Sequence, residues 1–155
     1  MPTQYVTLFK LMFTLVFLMP MASIANSLPN NSLPTCTLIF KTASVNITLK
    51  NIPVARTEAE MNKGLSRRKQ VLHGMLFSWP TAEPRVFWMQ DTWVDLSVGF
   101  FDANGILFDI QAMQANSAQY HYSVQKTKTA LELTQGQFQK IGLVIGSHLV
   151  TQDCR

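Results

Sequence analysis

The sequence has few of the residues that most catalytic and metal sites require. It contains only two cysteines, and its three histidines, His73, His121 and His148, are scattered along the chain. No Gly-x-Ser-x-Gly motif occurs, so the serine nucleophile of an α/β-hydrolase is not indicated. Two thiols without nearby histidines are a poor ligand set for zinc. We therefore predict no metal site and no cofactor.

Long apolar runs are also absent, apart from "LMFTLVFLM" at residues 11–19. Lys10 precedes this run as the only charge in the first 25 residues, and a proline and a stretch of small residues follow it. This order predicts a secretory signal peptide over residues 1–25, with cleavage after Ala25. An uncleaved anchor is the alternative, although the run is shorter than a bilayer-spanning helix needs. We expect export to the periplasm and no stable membrane insertion after cleavage.

An excess of positive charge is missing as well. Without Lys10, 12 basic and 9 acidic residues leave a net charge of +3, which argues against a nucleic-acid partner. Only Ser66–Gln70, "SRRKQ", concentrates basic residues. Such a run is typical of a solvated loop, and contact with an acidic surface is the alternative.

The rest of the chain divides into a tether and one domain. Residues 26–35, "NSLPNNSLPT", are rich in Asn, Ser and Pro and cannot bury a face. Residues 36–155 form a single domain with Cys36 and Cys154 near its ends. In an exported protein these cysteines predict a disulfide, which would stabilise the fold by roughly 4 to 5 kcal/mol. A lipid-modified Cys36 and a metal-binding pair are the alternatives.

Periodicity in this domain indicates strands. Alternating or apolar segments bounded by turn residues are "VNITLKNI", "GMLFSWP", "RVFWMQDTW", "TALEL" and "LVIGSHLV". Two short helices are predicted, one beginning at the Thr57 and Glu60 capping box and one at "GQFQKIG". The fold class is mainly β (α+β), a small, mostly antiparallel barrel or closely folded sheet with two short helices.

The segment "LSVGFFDANGILFDIQAM" predicts a β-hairpin. A two-residue turn would pair Phe100 with Asp109 and set apolar residues against polar ones. A three-residue loop, with Asp102 opening a type I turn, pairs Phe100 with Phe108 and Val98 with Ile110 on one apolar face. We predict the second register, and we interpret Asp102 as a turn residue.

Several short blocks share a distinctive order and spacing. They are "KGL", "GMLF", "FWM" with Thr92 shortly after it, "FFDANGIL", "LEL", the turn at Gly136 to Phe138, and "IGLVIG". Over about residues 45–150 they resemble the domain-of-unknown-function family 192, which occurs in bacteria and archaea, often behind a signal peptide. The resemblance implies a compact, mainly β domain, and the family has no established activity.

Two departures from the family pattern follow the "FWM" block. Ser97 stands where the family usually has an aspartate, and Asp95 stands where it has a proline. If that aspartate did chemistry in the family, this chain has lost it, or Asp91 and Asp95 substitute for it from a different face.

The stretch "FWMQDTW" holds our candidate site. Phe87, Trp88 and Met89 are predicted to be core residues. Where the strand emerges from the core, polar side chains and one tryptophan form a predicted binding rim, made of Gln90, Asp91, Thr92, Trp93 and Asp95. The protein is thus predicted to be an exported binding or accessory module of the cell envelope, with an unknown envelope ligand or protein as partner.

Two other functions use residues of the same region. Asp91 and Asp95 are weak candidates for the carboxylate pair of a hydrolase, which requires a bend to bring them within about 10 Å. Methionines 75, 89 and 113 with a histidine would make a soft copper site. Methionine beside Leu and Phe in strands is more typical of core filling, and we predict that role.

Overall fold

The computed structural model describes residues 32–155. The predicted signal peptide, its cleavage site after Ala25 and residues 26–31 of the predicted tether lie outside the described residues. Strands predominate in the described part, with two short helices. The elements are β1 (Thr35–Lys41), β2 (Asn46–Ala55), α1 (Glu58–Lys63), β3 (Met75–Glu83), β4 (Val86–Trp88), β5 (Leu96–Phe101), β6 (Leu107–Met113), β7 (Tyr120–Tyr122), β8 (Thr127–Thr134), α2 (Gln137–Ile141) and β9 (His148–Cys154).

Seven of the strands form one mixed sheet in the order β6-β5-β8-β3-β2-β1-β9, and β4 pairs with β7 separately. Among the strands of residues 32–155, only β2 and β3 are parallel, with α1 lying between them in sequence. An isolated bridge between Ile106 and His148 links the two edges of the sheet. The predicted mainly β fold is confirmed, as a closely folded sheet and not as a closed barrel.

Alternate residues of the central strands pack on opposite faces of this sheet. On one face, Leu131 and Phe101 join a core that includes Phe138 of α2. The other face holds Val98 and Ala130 in a core that extends toward α1 and β4. Three fully buried methionines also belong to this second core and confirm the core-filling interpretation: Met75, Met89 and Met113.

Both helices form where local chemistry predicts them. The Thr57 side chain accepts a hydrogen bond from the Glu60 backbone N–H, and the Glu60 carboxylate accepts from the backbone N–H groups of Arg56 and Thr57. The Arg56 bond contributes most to lowering the pKa of Glu60. Helix α2 docks through Phe138 against Gly99, where a Cβ atom would lie only 2.8 Å from the Phe138 ring.

The hairpin of β5 and β6 corrects the predicted register. Its three-residue loop is present, because the Asp102 backbone N–H donates to the Ile106 carbonyl. A β-bulge then shifts the pairing, so Phe100 lies opposite Asp109 and not opposite Phe108. All six residues of β5 are buried. The predicted register was wrong because β5 is covered on both faces. Apolar and polar residues therefore do not alternate along it, and this pattern does not fix its pairing with β6.

The stretch "FWMQDTW" is also shorter as a strand than predicted. Strand β4 ends at Trp88, and a turn follows in which the Thr92 N–H donates to the Met89 carbonyl and Asp91 has a φ of 55°. Phe87 and Met89 are buried as predicted, but Trp88 is 41% exposed. Its assignment to the core was wrong, because β4 pairs only with the short strand β7 and nothing covers the outer face of that pair among the described residues.

The predicted disulfide joins the first and last strands. Cys36 and Cys154 are register partners in the antiparallel pair of β1 and β9, with Cα atoms 3.9 Å apart, and they form a disulfide. Their Cα separation falls just short of the about 4.4 Å lower end of the usual range. Strand β9 itself begins at His148, later than the segment "LVIGSHLV" indicated.

Candidate functional site

A cavity of about 460 Å³ lies between α1 with the segment after it and strands β3, β4 and β8. Three aromatic side chains form its walls, Phe77, Trp79 and Phe87, and the exposed Trp88 lies at its mouth. Their packing is tight at the base, where the Phe87 ring meets Phe77 edge-on at 5.0 Å between centroids and lies 5.6 Å from Phe100. The sequence builds this wall because Phe77 and Trp79 are alternate residues of β3 and therefore share a face.

The mouth of the cavity is polar and charged. Exposed residues of α1 and its flanking segment, among them Arg56, Glu58 and Lys63, lie on one side. Gln90 and Trp88 lie on the other. An apolar interior with a few polar groups near it is the usual composition of a site for a small molecule.

Of the described acidic residues that line the cavity, Glu132 is buried and Glu58 is exposed. Glu132 lies in the middle of β8 between Met75 of β3 and Val98 of β5, and only 5% of its surface is exposed. Burial raises its pKa to about 8, and no cation or hydrogen-bond donor of the described residues offsets this. At neutral pH its side chain is therefore mainly an uncharged carboxylic acid, able both to donate and to accept a hydrogen bond.

Sequence reasoning assigned no role to Glu132. The block "LEL" contributed to the family resemblance, yet it carries a local signal of its own. A carboxylate in the centre of the strand "TALELT", flanked on both sides by leucine, sits where strands are buried on both faces. Acidic residues are rarely buried without a partner, so such a position points to a site.

Arg85 is a fixed part of the cavity wall. Its guanidinium lies 4.5 Å from the centroid of the Trp79 ring and donates hydrogen bonds to the carbonyls of Thr81 (2.8 Å) and Thr127 (3.4 Å). Partial burial lowers its pKa, but an arginine keeps its charge at neutral pH. The hydrogen bonds to Thr81 and Thr127 use two of the five N–H donors of the guanidinium and fix its position in the wall.

The structure divides the predicted binding rim into two groups. Gln90 and Thr92 line the cavity, as do Glu132 and the aromatic side chains. Asp91, Trp93 and Asp95 do not line it. They are predicted site residues that the fold leaves on the surface nearby.

Each predicted carboxylate outside the cavity already has a partner. Asp91 forms an exposed ion pair with Arg67 at 3.1 Å, which ties the turn to the basic run after α1. Asp95 accepts a hydrogen bond from the Ala115 backbone N–H at 2.7 Å. Trp93 is 50% exposed. The Asp91 and Asp95 carboxylates therefore each bind a neighbouring loop segment.

Ser97 is a buried residue of β5 opposite Leu133. It alternates with Val98, so it faces the side of the sheet that carries α2, away from Glu132. A carboxylate at this position in relatives would thus lie on the face opposite the cavity.

Residues 32–155 contain neither a candidate metal cluster nor a candidate membrane-spanning helix. In this part of the chain, no group of three or more His, Cys, Asp and Glu side chains is placed to hold a metal ion. No helix within it has both the length and the apolar character needed to cross a membrane.

Comparison with known proteins gives a family and a fold. The model of the family DUF192, described as "Uncharacterized ACR", matches residues 39–151. No curated protein matches.

Solved structures with the same fold include two bacterial proteins. One is a candidate transcription regulator from Sinorhizobium meliloti 1021, with 23% identity and a TM-score of 0.70, covering 76% of this chain and 93% of that one. The other is a protein of unknown function from Novosphingobium aromaticivorans DSM 12444, with 22% identity and a TM-score of 0.73, covering 79% of this chain and 89% of that one. At this identity the likeness extends to the fold alone.

Proposed function

The chain belongs to the uncharacterised family DUF192, and we propose that it is an exported binding module of the cell envelope that holds a small molecule in the cavity between α1, β3 and β4. The observation that carries the proposal is Glu132, a carboxyl group buried without a partner at a cavity with aromatic walls. Burying such a group costs the fold free energy, which a role in binding explains.

The size and walls of the cavity support a small-molecule ligand. Its volume of about 460 Å³ lies within the usual range for small-molecule sites, roughly 300 to 1,000 Å³. Aromatic rings give a ligand large contact area without much loss of side-chain entropy, since they have few rotatable bonds. Gln90 and Thr92 add polar groups that can orient it.

Export is the second part of the proposal. It rests on the predicted signal peptide over residues 1–25 and is compatible with the disulfide between Cys36 and Cys154. Disulfides persist in oxidising compartments such as the periplasm and are rare in the reducing cytosol. The ligand would accordingly be a molecule of the periplasm or envelope.

A hydrolase that uses Asp91 and Asp95 has less support. Two catalytic carboxylates must face the same bond from a shared cleft. Asp91 is paired with Arg67, the Asp95 carboxylate accepts from Ala115, and neither lines the cavity. No contact in the described residues favours that chemistry, so we propose binding without catalysis.

Two matched double variants test the proposed site. Trp88→Ala with Gln90→Ala removes one tryptophan and one polar side chain from the cavity mouth. Asp91→Asn with Trp93→Ala makes a similar change just outside it, and asparagine tolerates the positive φ of Asp91. Each protein is incubated with the low-molecular-weight fraction of an envelope extract, desalted, and examined by native mass spectrometry.

We expect the wild type and the outer variant to retain the same small molecule and the cavity variant to lose it. Thermal unfolding shows whether the variants are equally folded, as the exposure of all four side chains predicts. Equal retention by both variants would place the ligand elsewhere. A wild type that retains nothing contradicts the small-molecule proposal.

A further inference from the structure

We infer that the ligand of this cavity is a cation, an amine with an apolar body, whose ammonium group is bound by the carboxylate of Glu132. The inference rests on the proposed function and identifies the chemical class of its ligand. Its basis is the combination of an unpartnered, buried carboxyl group with aromatic rings around the same space.

The aromatic wall favours a cation near Glu132. The faces of aromatic rings carry partial negative charge and attract cations within about 6 Å of the centroid. Arg85 already uses one face of Trp79 in this way, at 4.5 Å. Phe77 and Phe87 contribute further rings to the cavity. An ammonium group placed among them would contact both the rings and the carboxylate.

Other charged groups that line the cavity also interact with a bound cation. Arg56, Lys63 and Arg85 would repel a cation, and Glu58 would attract one. Arg56, Lys63 and Glu58 are exposed at the mouth, where water and salt screen their charges. Arg85 is held by Thr81, Thr127 and Trp79. Glu132 is the group without a partner in the least polar surroundings, so its interaction dominates.

Proton release accompanies this binding. In the free protein the raised pKa of Glu132, about 8, keeps its carboxyl mainly protonated at pH 7. An ammonium ligand stabilises the carboxylate, so the carboxyl proton leaves to the buffer as the ion pair forms. The ligand keeps its own proton and positive charge. Binding of the amine should therefore release close to one proton per ligand at pH 7.

The probes are 2-phenylethylammonium, its neutral analogue 2-phenylethanol and the anion 3-phenylpropanoate. Isothermal titration calorimetry at pH 7 in phosphate and in MOPS, neither of which supplies a primary ammonium ion, reports affinity and, from the difference in heat, the protons released. We expect the wild type to bind the ammonium at least about tenfold more tightly than the alcohol, as an ion pair and cation–π contacts together imply.

Two carboxyl variants separate the buried group from an exposed carboxylate outside the cavity. Glu132→Gln keeps the shape and should abolish both the preference for the ammonium and the proton release, with alcohol binding unchanged. Glu83→Gln alters an exposed carboxylate of β3 that does not line the cavity and should leave both nearly unchanged. Thermal unfolding of both variants excludes loss of the fold as the cause.

The outcomes distinguish this inference from the proposed function. If the alcohol or the anion binds as tightly as the ammonium, and Trp88→Ala with Gln90→Ala weakens that binding, the cavity is a binding site but not for cations. If Glu132→Gln retains the ammonium preference, the inference is also overturned. If none of the probes binds, and the wild type retains nothing from the extract, the proposed function fails with it.

Discussion

Glu132 makes the stability of the protein depend on pH in a direction that can be worked out. Its pKa rises from an ordinary value of 4.5 to about 8 in the folded state. Between these values the folded state binds more protons than the unfolded state, so the free energy of unfolding falls as pH increases. The slope is roughly 1.4 kcal/mol per pH unit at most. Above about pH 8 the two states bind protons alike at this position, and the slope ends.

We predict that Glu132→Gln removes this slope. Glutamine resembles the uncharged acid. The free energy of unfolding of the variant should therefore equal that of the wild type near pH 5 and exceed it by a few kcal/mol near pH 8. Urea denaturation at both pH values measures the difference. Glu83→Gln, which alters an exposed carboxylate of β3, should behave like the wild type throughout. Parallel curves for wild type and Glu132→Gln would contradict the assignment of a raised pKa.

A second buried titratable group acts in the opposite direction and must be separated from the first. Burial lowers the pKa of His121, which pairs with Phe87 across β7 and β4. The unfolded state then binds the proton more readily, so stability is lost as pH falls below the ordinary value of 6.5. This contribution is common to wild type and Glu132→Gln, and it cancels when their free energies are subtracted.

The β5–β6 turn gives a prediction for Asp102. Its carboxylate accepts hydrogen bonds from the backbone N–H groups of Asn104 (2.9 Å) and Ile106 (2.8 Å). Asp102→Ala should therefore lower the free energy of unfolding by about 1 to 2 kcal/mol. Asp102→Asn keeps an acceptor oxygen in place and should cost clearly less. Equal losses in urea denaturation would show that these bonds contribute little.

At the level of elements, β4 has one buried and one exposed face. Phe87 packs against Phe77 and Phe100, whereas Trp88 lies beside Tyr120 on the exposed face. We predict that Phe87→Ala costs about 3 to 5 kcal/mol, since it opens a cavity in the core. Trp88→Ala should cost less than about 1 kcal/mol. Urea denaturation of both variants measures this, and a larger loss for Trp88→Ala would place that ring in the core after all.

The elements themselves were largely predictable because their signals are local. The capping box of Thr57 and Glu60, the alternation in β2 and the glycines around α2 each depend on residues a few positions apart. The β-bulge between Phe100 and Phe101 was not predictable, because both faces of β5 are buried and either register buries its apolar residues. The exposure of Trp88 depends on the pairing of β4 with β7, which lies far along the chain.

The candidate site was predictable only in part for the same reason. Gln90 and Thr92 follow a buried strand directly, and both residues line the cavity. Glu132 comes from β8, which neighbours β3 only through the order of strands in the sheet. No sequence pattern near "FWMQDTW" indicates that a carboxyl group from β8 faces the same space.

On the scale of the whole molecule, the sheet brings the two ends of the domain together. Strands β1 and β9 are adjacent at one edge, and the Thr35 and Arg155 backbones exchange hydrogen bonds of 3.0 and 2.9 Å just beyond the disulfide. The bond between Cys36 and Cys154 therefore joins register partners of adjacent strands and closes a loop with a sequence separation of 118. In the unfolded chain, the same bond removes the conformations in which these ends are far apart.

The last prediction concerns that bond. Cys36→Ser with Cys154→Ser should lower the free energy of unfolding by about 4 to 5 kcal/mol, because the loop is long and the unfolded chain regains its entropy. Urea denaturation of wild type and variant measures the loss. A reductant should lower the free energy of unfolding of the wild type toward that of the variant, whereas it should not change that of the variant. Mass spectrometry of unreduced exported protein should find a chain beginning at residue 26 with no thiol open to alkylation. Two alkylated thiols in that sample would contradict the disulfide. A chain that still begins at residue 1 would contradict the cleavage after Ala25.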